Sequence, residues 1–114
     1  DFDTLERLHK LKTGKLISAS AKLGCVSAGI NEDDERYNSA VKYAENVGLA
    51  FQIVDDILDY KEGKRELNSF LSFMSVEEAT QYALDLTDVG ISAIASYDDG
   101  TFTELAKHLI IREY

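Results

Sequence analysis

The sequence predicts an all-α protein built as an antiparallel helical bundle. Three observations carry that expectation. Proline is absent from all 114 residues; apolar residues recur three and four positions apart nearly throughout; and helix start and stop residues sit where that period breaks. The first helix is expected from about Thr4 to about Ala28, interrupted at Gly14 and stopped at Gly29. It should turn Leu5, Leu8, Ile17, Leu23 and Val26 toward the core. The second begins after Asn31, with acids in its first turn where the helix dipole favours them. It runs through Tyr37, Val41, Ala44, Phe51 and Val54 to about Tyr60.

A charged connector, Lys61-Glu62-Gly63-Lys64-Arg65-Glu66, has no apolar period and reads as a loop reaching about Asn68. The short apolar stretch Phe70 to Met74 leads into a capping box at Ser75-Val76-Glu77-Glu78. The third helix follows through Ala79, Ala83, Leu86 and Ile94 to near Asp98. A second box, Thr101-Phe102-Thr103-Glu104, is expected to open a short last helix with Leu105, Leu109 and Ile110 inward. Phe51, Phe70, Phe73 and Tyr82 read as core aromatics. Residues 1–114 form one helical domain, and no internal repeat is present.

Composition narrows the function. A hydrophobic content of 45% is ordinary for a globular domain. Twenty-one acidic against 12 basic residues give a net charge of -9, which argues against a nucleic-acid backbone as partner. No apolar run approaches the ~20 residues of a transmembrane helix. The lone cysteine, Cys25, cannot form an internal disulfide; it reads as a buried inert thiol and suits a cytoplasmic protein. His9 and His108 lie in separate helices without a second ligand at metal spacing and read as surface residues. The chain opens on Asp1 rather than methionine, so further sequence is expected upstream.

One stretch departs from the amphipathic pattern. Gly48 to Asp59 is an apolar helical run that abruptly carries Asp55, Asp56 and Asp59. At about 100° per residue, Asp55 and Asp59 lie about 40° apart, with Asp56 one step round and Gln52 one turn below. Carboxylates flanked by core-facing Ile53, Val54, Ile57 and Leu58 repel one another and call for a positive partner. Reflecting the first two helices about a centre between Ile30 and Asn31 sets Lys12 opposite Leu49 and Thr13 opposite Gly48. Gln52 then lies about 4.5 Å and Asp55 about 9 Å further along the axis. Adjacent carboxylates suit Mg²⁺, which takes one or two carboxylates, waters and phosphate oxygens, while lysine and threonine suit the same phosphate. Lys12, Thr13, Gln52, Asp55, Asp56 and Asp59 together point to a bound diphosphate.

At these residues the chain resembles the all-trans polyprenyl diphosphate synthases of the farnesyl and geranylgeranyl type. Lys12-Thr13-Gly14-Lys15-Leu16-Ile17 resembles the family's K-T-G-x-L-I segment, and Phe51-Gln52-Ile53-Val54-Asp55-Asp56-Ile57-Leu58-Asp59 resembles its second aspartate-rich motif, F-Q-x-x-D-D-x-x-D. The resemblance covers nearly the whole chain but only the C-terminal half of such an enzyme. It implies an isoprenoid-synthase-like bundle, homodimeric in the full-length protein. There Mg²⁺ helps an allylic diphosphate ionise, isopentenyl diphosphate attacks the carbocation, and a proton is lost. Lys12 and Gln52 would contact the allylic diphosphate, Thr13 would stabilise the carbocation and leaving group, and Asp55, Asp56 and Asp59 would hold Mg²⁺, Asp55 most closely.

Two departures follow from the same comparison. The family's first aspartate-rich motif has no counterpart here, so the 114 residues alone are expected to be inactive. The family's loop after the second motif is longer, whereas about fifteen residues separate Asp59 from Ser75. Two other readings stay open: a non-catalytic subunit regulating a partner synthase, and a helical interaction domain whose acids only solvate it.

Overall fold

A computed structural model describes residues 3–4, 15–63 and 70–110, without the side chains of residues 15–18 and 20. Among the described residues there are four α-helices and no strand: α1 (Lys15–Ser27), α2 (Glu35–Lys61), α3 (Val76–Ile94) and α4 (Thr101–Ile110), with a single 3₁₀ turn at Phe70–Ser72 before α3. The all-α expectation holds. No described helix is long and apolar enough to cross a membrane. The molecule measures 45 × 26 × 17 Å, a slab whose long dimension follows from the 27 residues of α2 at about 1.5 Å each.

Each boundary has a local cause. α1 stops in a Schellman arrangement: Ile30 N–H donates to the Cys25 carbonyl at 2.8 Å and Gly29 N–H to the Val26 carbonyl at 3.0 Å, with Gly29 at φ 79°. That backbone is easy for glycine and strained for other residues. α2 starts later than the sequence suggested. Asn31 to Asp34 fold into a turn because Asp34 is the N-cap, its carboxylate accepting the Arg36 N–H at 2.8 Å. The Arg36 guanidinium also grips that carboxylate, Nε to Oδ1 at 3.1 Å and Nη2 to Oδ2 at 2.7 Å. Its hydrogen bonds lower the Asp34 pKa to about 2. The midpoint between the two helix ends is Asn31, beside the centre of the sequence reading. Lys22 of α1 accordingly shares a shallow groove with Asn38, Val41 and Lys42 of α2.

α3 begins with the capping box expected from sequence: Glu78 N–H donates to Ser75 Oγ at 3.1 Å and Ser75 N–H to the Glu78 carboxylate at 3.2 Å. It ends at Ile94, short of the expected Asp98, and that difference explains the start of α4. Asp98 is freed from the helix to accept the N–H groups of Phe102 and Thr103, both at 3.0 Å, and the Thr103 hydroxyl at 2.6 Å. Asp99 takes the Thr101 N–H at 3.0 Å. Two aspartates thus satisfy the first N–H groups of α4 in place of the box expected from Thr101.

α2 and α3 pack antiparallel through a stripe of small residues. Ala79, Ala83, Thr87, Gly90 and Ile94 are the buried positions of α3, and the Thr87 hydroxyl is satisfied by the Ala83 carbonyl at 2.7 Å. At Gly90 a Cβ would meet Val47 Cγ2 at 3.0 Å and the Tyr43 carbonyl at 3.3 Å. One core cluster joins Leu49, Ala50, Ile53, Val54 and Ile57 to Phe70, Ala79, Ala83 and Ile110; a second joins Tyr43, Val47, Ile94 and Ala106. The outer helices correct the sequence reading. Leu23, Val26 and Leu105 were expected inward but are 68%, 63% and 46% exposed, and Phe73 is also exposed. Buried Cys25 in α1 and Ala106 in α4 take those places instead, because small side chains admit the closest helix approach, while Ile110 is buried as expected. Leu5, Leu8 and His9, and the side chain of Ile17, lie outside the described residues.

Candidate functional site

The C-terminal half of α2 has two faces. Leu49, Ala50, Ile53, Val54 and Ile57 are buried and hold the helix on the core. Gln52, Asp55, Asp56 and Asp59 are each half-buried, the exposure of groups at the rim of a packed face. At about 100° per residue they run round α2 in the order Asp55, Asp59, Gln52, Asp56 across about 100° of arc. Gly48 falls within the same arc and is buried. The structure therefore brings together four of the six residues singled out in sequence; Lys12 and Thr13 lie outside the described residues.

The three carboxylates are not equivalent. Asp56 Oδ2 accepts the backbone N–H of Phe70 at 3.0 Å, across 14 residues of chain. Its place in the arc explains the choice: Asp56 stands about 60° from core-facing Ile53, Asp59 about 120° and Asp55 about 160°. The chain leaves α2 at Glu62, whose N–H donates to the Leu58 carbonyl at 3.1 Å, and turns at Gly63 with φ 87°. It re-enters the core at Phe70, which is fully buried. Sequence marked Phe70 as apolar after a polar connector, the only signal available; the partner of its N–H was not legible.

Among the described residues no three His, Cys, Asp or Glu side chains gather into a group able to hold a metal ion. The donor chemistry still suits a hard divalent cation, since Mg²⁺ needs only one or two protein carboxylates when waters and phosphate oxygens fill its octahedron. Asp55 and Asp59, one helical turn apart, meet that requirement with Gln52 beside them as a neutral donor or acceptor. The groove at the other end of α2, lined by Lys22, Glu32, Tyr37, Asn38, Val41, Lys42 and Glu45, lies about 20 Å along the axis and mixes both charges. His108 is exposed and Cys25 buried, as expected.

Residues 1–71 match the model of the polyprenyl synthetase family, a span that includes both motifs. The farnesyl diphosphate synthase of Escherichia coli (strain K12) is 37% identical over 130 residues, covering 97% of this chain and 42% of that protein. The geranylgeranyl diphosphate synthase of Cyanophora paradoxa is 35% identical over 110 residues, 86% of this chain and 36% of its own length. A dimethylallyltranstransferase of Fischerella ambigua (strain UTEX 1903) is 30% identical over 128 residues, 100% of this chain and 36% of its own. The chain spans about two fifths of the length of the curated relatives it matches. The stretch shared with the E. coli protein, at 130 residues, is longer than the 114 of this chain, so that relative carries residues there which this chain lacks.

Proposed function

The chain belongs to the polyprenyl synthetase family, and from that membership we propose that it supplies one wall of the diphosphate site of a short-chain trans-prenyltransferase. The observation that carries this reading is the half-buried arc of Gln52, Asp55 and Asp59, set on a helix whose other face is wholly committed to the core. Neighbouring carboxylates repel one another, and a bound cation relieves that repulsion.

In this reading the substrates are an allylic diphosphate and isopentenyl diphosphate. Asp55 and Asp59 present carboxylate oxygens at one point on the rim, and Gln52 donates from the turn below to a diphosphate oxygen. Lys12 and Thr13 hold the same diphosphate from the preceding helix, the lysine as a point charge and the threonine through its hydroxyl. Mg²⁺, when bound, neutralises the diphosphate and makes it a better leaving group. The apolar flank of the arc excludes water, so that the allylic cation meets the second substrate's double bond before it meets a hydroxyl. The bond formed is carbon to carbon, the bond broken is carbon to diphosphate oxygen, and one proton is lost from the condensed product.

We also propose that residues 1–114 form the C-terminal portion of the larger fold. The whole protein would be a cytoplasmic homodimer, and these residues alone would not turn over because the first aspartate-rich motif is missing from them. The test is Mg²⁺-dependent condensation of isopentenyl and allylic diphosphates by the full-length protein, repeated with Asp55→Ala and Lys12→Ala. Turnover should fall in both variants, and unchanged turnover in both would overturn the assignment.

A further inference from the structure

We draw no further inference here: the strongest candidate, the exposed apolar patch of Ala19, Leu23 and Val26 on the side of α1 away from Cys25, carries nothing because nothing in the structure shows what covers it.

Discussion

The Tyr43 hydroxyl donates to the main-chain carbonyl of Phe102 at 2.6 Å, and the two rings meet edge to face with centroids 5.6 Å apart. One side chain thus ties the middle of α2 to the first turn of α4. Burial raises the Tyr43 pKa and keeps its hydroxyl protonated as a donor. Replacing Tyr43 with Phe should cost about 1 kcal/mol, since the ring contact survives. Tyr43→Ala should cost about 3 kcal/mol or more, because it also leaves a cavity between the helices. Urea denaturation followed by circular dichroism measures both.

Gly90 tests how tightly α2 and α3 approach. A methyl there gains about 1 kcal/mol of helix propensity over glycine but presses on Val47 and the Tyr43 carbonyl. Gly90→Ala should therefore change stability by less than about 1 kcal/mol in either direction. Gly90→Val, whose added carbons have nowhere to go, should lose about 2 kcal/mol or more. Equal stability of the two variants would mean that the helices separate freely.

Acid should loosen the molecule at two helix starts. Asp34 is held at about 2 by the Arg36 side chain, and the Asp98 pKa is lowered chiefly by the Thr103 hydroxyl, then by the N–H groups of Phe102 and Thr103. Both lie below the ordinary carboxylate value of 3.8. The folded state therefore binds these protons less readily than the unfolded chain does. Their contribution is complete above about pH 5 and declines as pH falls through 4 toward 2. Asp34→Asn and Asp98→Asn should each flatten stability against pH across that window and leave the slope above pH 5 unchanged; acid titrations of the thermal midpoint read this directly.

Activity should grade along the arc. Asp55, farthest from the core face, is proposed as the closest cation ligand. Asp55→Ala should lower turnover about a hundredfold and raise the Mg²⁺ concentration for half-maximal rate. Asp59→Ala should do less on both counts. Steady-state rates over a Mg²⁺ series separate the two, and a larger effect at Asp59 would reverse the order of the ligands.

Helix number, the turn at Gly29, the Ser75 capping box and the acidic arc were legible because each depends on residues close in sequence. What failed depended on distant partners. Leu23, Val26 and Leu105 look like core residues by hydropathy, yet Cys25 and Ala106 are buried in their place, since close helix approach favours small side chains over large ones. The start of α4 at Thr101 was legible, but its capping groups and the end of α3 were not, because Asp98 looks like the end of α3 until its contacts with Phe102 and Thr103 are seen. In the candidate site, spacing placed Gln52, Asp55, Asp56 and Asp59 on one side of α2. The distinction of Asp56 lay in a hydrogen bond from a residue fourteen positions away, beyond the reach of any local pattern.

The acids also sit at an unusual place along their helix. α2 ends at Lys61, so Asp59 lies in the last turn, at the negative end of the helix dipole, with Asp55 one turn earlier. Lys61 in that turn is the one basic residue set against it. The backbone and the side chains therefore repel a bare diphosphate together and attract a cation together. Ligands should arrive in a fixed order: a diphosphate reaches this end of α2 only when a cation travels with it or has preceded it.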